Sequence, residues 1–310
     1  MRMWVAGLRA QAIEKAAQVP GLRWLDVNYP FNSPDDRQDR RAGLERTGIR
    51  AIAITPHVHA LLALVHQPRP RGPPGGRRPV QGIEVADELD ASYLKFWPGQ
   101  DGHDYLFQAE HARLWTSSWM ACGGGGGVGA ERQFAIEYKL KEPRNHMAFS
   151  TAARTLLGIE DIGAANLGIV LDMGHPCSPS ETPADVLQLV HRRGRLVSVE
   201  VNDNLREWDD DMVVGSVHPV ETLEFLWGLR QIGWDRPVLL DQFPFREDPV
   251  GAATLSLQAI EGMERMLDRI DASALKDAQE RQDALAAWWV IVLREMVGAG
   301  ASSAAEGADR

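Results

Sequence analysis

The chain has 310 residues, 44% apolar and 25% charged, with 33 Lys and Arg against 43 Asp and Glu for a formal net charge of −10. These proportions suit one large folded domain and exclude a disordered or collagen-like chain, and the negative balance opposes binding to nucleic acid. Cys122 and Cys177 are too few for a disulfide framework or a thiolate zinc site, no apolar run reaches the ~20 residues of a membrane span, and no export signal follows Met1, so a cytoplasmic enzyme with no membrane partner is expected.

In chain order the candidate strands are Met1–Leu8, Leu22–Tyr29, Arg50–His57, Tyr93–Pro98, Gln133–Leu140, Asn166–Gly174, Leu196–Asp203 and Pro237–Phe243. Most are nearly continuous in hydrophobicity, as strands buried on both faces should be. Helical patterns lie between them, among them Pro183–Arg193, with Thr182 as its N-cap, and Pro219–Ile232. Eight strands alternating with helices predict an α/β fold of the closed (β/α)8 TIM-barrel type. The alternative, a doubly wound open sheet, would normally carry a Gly-rich phosphate loop after its first strand, and none is there. The barrel is expected over residues 1–271, a C-terminal helical extension over 272–298 and a flexible tail over 299–310.

Two windows interrupt this pattern. Residues 66–81 read HQPRPRGPPGGRRPVQ, and residues 116–131 contain five consecutive glycines. Pro costs ~3 kcal/mol and Gly ~1 kcal/mol inside a helix, so the helices near 61–82 and 115–131 are expected to be degraded or irregular. The extension reads as one helix, Ala272–Gly298. Leu285, Trp288, Trp289, Ile291, Val292 and Leu293 cover much of its circumference, which suits packing on the barrel or on a second subunit.

Glu137, Asp172, Glu200 and Asp241 each follow an apolar run at the C-terminal end of a predicted strand, where barrel enzymes carry their chemistry. Four carboxylates side by side repel one another, and a bound divalent cation is the simplest compensation. An all-oxygen donor set suits Mn²⁺ or Mg²⁺, with Co²⁺ a further candidate. Lys139, two residues beyond Glu137, points to the same side of its strand. Trp97, Gln100 and Asp101 form a candidate rim, the Trp face for the C–H side of a sugar and the polar pair for its hydroxyls; a buried scaffold role for Trp97 is the other reading. Asn28 and His57 end two strands and are either substrate contacts or core and cap residues. His146 is a candidate acid or base because a histidine titrates near neutrality.

The segments FWPGQDG (Phe96–Gly102), IEYKLKEPR (Ile136–Arg144), LDMGHP (Leu171–Pro176), VEVNDN (Val199–Asn204), WDDDMVVGS (Trp208–Ser216) and LDQFPFREDPV (Leu240–Val250) resemble the xylose isomerase-like TIM-barrel superfamily, in family order over roughly residues 93–260. The resemblance implies a catalytic metal on Glu137, Asp172, Glu200 and Asp241, with Glu200 standing where relatives usually have His or Asp. It also implies a second metal site on Asp172, His175, Asp209 and Asp211, with His175 alternatively a substrate contact, and a carbonyl-polarising role for Lys139. The second lysine that xylose isomerases carry after their last ligand is absent, since Phe243 occupies that neighbourhood.

The activity so implied is metal-assisted isomerisation or epimerisation of a sugar or sugar-like polyhydroxy carbonyl compound, with Glu137 and Asp241 among the catalytic groups. The alternatives are a metal-dependent lyase acting on 3-keto-glycosides with a small partner subunit, and a catalytically impaired structural barrel subunit. The expected partner is a small-molecule sugar or glycoside, with a homo-oligomer as a further option. A nuclease on the same barrel is disfavoured by the charge and by only nine scattered histidines.

Overall fold

The computed structural model describes residues 9–29, 34–56, 77–99, 102–115, 132–142, 144–175 and 181–293. Its strands are β1 (Trp24–Tyr29), β2 (Arg50–Pro56), β3 (Tyr93–Phe96), β4 (Gln133–Glu137), the two-residue β5 (Lys141–Glu142) and β6 (Asn145–His146), β7 (Leu167–Asp172), β8 (Leu196–Val201) and β9 (Val238–Leu240). Seven of these form one parallel sheet in the order β1-β2-β3-β4-β7-β8-β9, while β5 and β6 pair as a separate antiparallel hairpin. The seven match the second to eighth expected strands; the first, Met1–Leu8, and His57 at the end of the third lie outside the described residues. Side chains from β3 reach β1, β8 and β9 across the interior, so the sheet is curled into a nearly closed TIM barrel.

Alternation along each strand sorts the residues into two environments. Leu25, Ile54, Leu94, Phe134, Ile136, Ile169, Leu171 and Val199 point outward into the layer shared with the helices. Each such large side chain, once buried, contributes ~1.5–3 kcal/mol. Inward, a small apolar floor is made by Ala53, Tyr93, Ala135, Val170, Val197 and Leu239, with Trp24 against it. Two residues further along five of these strands stand Thr55, Lys95, Glu137, Asp172 and Asp241, and Asp26 and Glu200 join them from β1 and β8; all seven are buried. The barrel therefore has an apolar floor and, one layer above it, a charged ceiling.

The helices are α1 (Arg9–Ala16), α2 (Pro34–Thr47), α3 (Arg77–Glu88), α4 (Ala152–Ile162), α5 (Pro183–Arg192), α6 (Pro219–Gln231), α7 (Pro249–Leu267), α8 (Ala272–Glu280) and α9 (Ala284–Trp288). Proline opens α5, α6 and α7, where its missing N–H costs nothing and its fixed φ suits the first turn. Thr182 holds the cap position of α5 with extended backbone but makes no side-chain capping bond. The caps of α4 and α7 are complete: Thr151 accepts from the Arg154 amide at 3.2 Å and Asp248 from the Gly251 amide at 2.6 Å.

Within the window 66–81, α3 begins at Arg77, and Pro79 falls in its first turn, where proline is tolerated. Residues 57–76 and 116–131, the rest of both windows, lie outside the described residues, as does the tail 299–310. The extension is not one helix. Gln282 has φ +56, which ends α8 in the left-handed region, and Asp283 then caps α9 by accepting from the Ala286 amide at 3.0 Å. A π-helical turn, Trp289–Leu293, follows. Ile291 packs on the barrel's hydrophobic core, whereas Leu285 is 84% and Trp288 49% exposed. Among the described residues, no helix is long and apolar enough to cross a membrane.

Candidate active site and metal centre

Glu137 ends β4, Asp172 ends β7, Glu200 lies in β8 and Asp241 directly follows β9. None is more than 1% exposed, and one carboxylate oxygen from each comes within 4.8 Å of all the others. Four anions so close in a water-poor interior require opposing charge. The donor chemistry fits a hard divalent cation, which takes carboxylate oxygens from several elements at once. Glu137 and Asp172 also form a second grouping, with His175.

His175 is fixed by local chain geometry. Its Nδ1 lies 2.7 Å from the Tyr138 carbonyl oxygen, and its Nε2 lies 3.1 Å from Asp209 and 3.8 Å from Glu137. The loop bearing Asp209 and Asp211 is anchored by the buried Asp203, which accepts from the amides of Val217 at 2.8 Å and His218 at 2.9 Å. A reciprocal backbone pair between Asp203 and Met212 closes the same loop, and Asp211 takes φ +51 within it. Asn202 donates from Nδ2 to both Asp172 oxygens, at 3.1 and 3.2 Å, and to Asp211 at 3.3 Å. Gly174 leaves room for this bridge, since a Cβ there would sit 2.0 Å from the Asn202 Oδ1. The Gly174 amide also donates to Asp172, at 2.7 Å.

Lys139 pairs with Glu142 and lies 3.0 Å from Asp209, with its ammonium 5.6 Å from the Trp97 ring centre and 5.0 Å from that of Trp208. Trp97, Glu137, Lys139, His175, Asp209 and Asp241 line one cleft of about 180 Å³, with Phe243 and Asp211 on its wall. The structure thus brings the four carboxylates, Lys139, Trp97 and the second grouping into one place. It leaves His146 out. That residue is exposed on β6, its ring 5.3 Å from His103, and it is not among the residues lining the cleft; the hairpin turns it away from Glu137. Asn28 is the penultimate residue of β1, with Thr55 opposite it on β2 and no place in the cleft lining. Gln100 and Asp101 lie outside the described residues, as His57 does.

The charges shift one another. Burial, reinforced by Asp209, Asp241 and Glu137 against the attraction of His175, pushes Asp172 up to about 7. Burial and Asp209 push Asp211 up to about 11. Burial alone would lower His175, but Asp172 and Asp209 outweigh it and raise the imidazole to about 10. Burial would likewise raise Asp209, but His175 and Lys139 hold it well below the usual carboxylate range. Lys139, opposed by burial, is held above its usual value by Asp209 and Glu142. The acids of the site are thus opposed by the Lys139 ammonium and the His175 imidazole, positive charge with which a bound cation would compete.

Three participants escaped the sequence reading. Lys95 is buried on β3 with its Nζ 2.7 Å from Glu137 and in contact with Glu200. Asp26 on β1 is buried and accepts from the Thr55 hydroxyl at 2.8 and 2.7 Å. Asn202 is the third. The signal for Lys95 was a lysine inside the strand Tyr-Leu-Lys-Phe, a residue type that is rarely buried unless paired.

No protein-family profile matches the chain. A xylose isomerase of Bacillus velezensis is 31% identical over 138 residues, which is 42% of this chain and 31% of that protein; the match thus spans about a third of the curated relative's length. An L-ribulose 3-epimerase structure superposes with a TM-score of 0.65 at 15% identity, over 87% of this chain and 95% of that one. A 3-keto-D-glucoside 4-epimerase from E. coli, in its apo form, gives 0.61 at 13% identity, over 84% and 98%.

Proposed function

We propose that the chain belongs to the xylose isomerase-like TIM-barrel superfamily and is a divalent-metal-dependent isomerase or epimerase of a sugar or sugar-like polyhydroxy carbonyl compound, a reading supported by its likeness to a xylose isomerase and to an epimerase fold. The observation that carries this reading is the convergence of four carboxylates from four neighbouring strands, two of which, Glu137 and Asp241, line one cleft with Lys139 and Trp97. Glu137, Asp172, Glu200 and Asp241 would hold the ion, and Mn²⁺ or Mg²⁺ suits their oxygen donors. When bound, such a cation supplies Lewis-acid polarisation of adjacent substrate oxygens.

The chain's own groups do the rest. Glu137 lines the cleft and is the proposed base that moves a proton on the carbon next to the carbonyl, with Asp241, which also lines it, as its acid–base counterpart. Lys139 is a fixed cation, braced by Glu142 and Asp209, for the negative charge that develops on the carbonyl oxygen. Trp97 offers an aromatic wall for the C–H face of the substrate, and His175 is held ready for a hydroxyl or a second ion. With Phe243 where a second lysine would assist hydride movement, proton transfer is the favoured route.

Glu137→Gln is expected to lower kcat at least ~100-fold, the lower end of what a positioned base contributes, while leaving the folded state intact by circular dichroism. Turnover at the wild-type rate would remove Glu137 from this role. Free ketoses and aldoses tested beside 3-keto-glycosides separate an isomerase from a lyase, because only the lyase releases an aglycone.

A further inference from the structure

Lys95 is the only lysine among the described residues whose whole side chain is enclosed in the barrel; it is 0% exposed. Its Nζ lies 2.7 Å from Glu137 Oε2, contacts Glu200 Oε2, and stands 3.8 Å from Asp26 and 3.9 Å from Asp241. Three of those four acids are the proposed metal ligands. The ammonium therefore sits within the same carboxylate cluster, two of whose members, Glu137 and Asp241, line the cleft. Glu137 shows the division directly: Oε2 faces Lys95, whereas Oε1 faces His175 at 3.8 Å.

We infer that Lys95 is a tethered internal cation that competes with the divalent ion for the carboxylates of Glu137 and Glu200, holding the barrel together without metal and setting how tightly metal is retained. This rests on the metal reading proposed above.

Two physical arguments support it. Removing one partner from a buried ionic cluster leaves uncompensated charge, which is strongly destabilising, so a barrel with these acids and no interior cation would be unstable until metal arrived. Conversely, a fixed positive charge a few ångströms from the ligand oxygens repels a divalent ion and occupies lone pairs that the ion would use. One residue thus trades metal affinity for metal-free stability. The two effects have opposite signs, which distinguishes competition from simple scaffolding: a scaffold lysine would lose both stability and affinity when removed.

The test is Lys95→Met, with Lys95→Gln as the second variant should the first fail to fold. The readouts are the melting temperature in EDTA and the Mn²⁺ dissociation constant by calorimetry, neither of which needs turnover. Competition predicts a lower melting temperature in EDTA, a larger rise on adding Mn²⁺, and a dissociation constant at least about tenfold smaller than wild type, or ~1.4 kcal/mol. If wild type binds Mn²⁺ and the variant binds equally or more weakly, the competition is overturned and the metal reading stands. If neither binds, the metal reading fails, and the competition with it. If only the variant binds, the competition holds and the native chain's use of metal is what falls.

Discussion

At the scale of single residues, the site depends on side chains that touch other side chains rather than substrate. Asn202 is the clearest case. Its amide bridges Asp172 and Asp211, two acids that would otherwise repel across the cleft, and groups that orient metal ligands are typically worth 10–100-fold in metal affinity. Asn202→Ala is therefore expected to weaken Mn²⁺ binding roughly 10–100-fold by calorimetry, and an unchanged dissociation constant would show that Asp172 holds its orientation unaided. The four carboxylates and Lys139 were legible because each follows an apolar strand pattern. Lys95 and Asp26 obey the same two-residue alternation but precede the strand ends, and a lone charge within a strand does not by itself reveal its partners. His146 shows the opposite case: it stands close to the motif in sequence, yet on the β5–β6 hairpin it is not among the residues that line the cleft.

At the scale of elements, the barrel wall tolerates little added volume where β7 meets β8. A Cβ on Gly168 would lie 2.5 Å from the Arg195 carbonyl oxygen and 2.5 Å from a Val197 methyl, and the backbone oxygen cannot swing away. Gly168→Ala is expected to cost ~1–3 kcal/mol, as overpacking does, read as a lower denaturation midpoint with unchanged slope; wild-type stability would mean that the strands separate more easily than this packing implies. Strand positions were legible because burial on both faces leaves almost no polar residue to interrupt the pattern. The break between α8 and α9 was not, since Gln282 is an ordinary helix former and its left-handed φ is imposed by the chain's return to the barrel.

For the whole molecule, occupancy of the carboxylate ceiling should appear as stability. A ligand that binds only the folded state at 100 times its dissociation constant adds ~2.7 kcal/mol, which for a chain of this size raises the melting temperature by on the order of 4 °C. Mn²⁺ is expected to give such a rise and EDTA to reverse it, followed by differential scanning calorimetry; no shift with any of Mn²⁺, Mg²⁺ or Co²⁺ would leave the acids balanced by Lys95, Lys139 and His175 alone.

The sequence by itself determined the α/β class, the seven strands of the parallel sheet to within three residues at their ends, and the acids at four strand ends, because hydrophobic periodicity and the position of a charge after an apolar run are local properties of the chain. Only the tertiary structure decided which charges meet. Barrel closure brings β3 opposite β8 and β9, and it is this long-range curvature, absent from any local pattern, that sets Lys95 among the carboxylates.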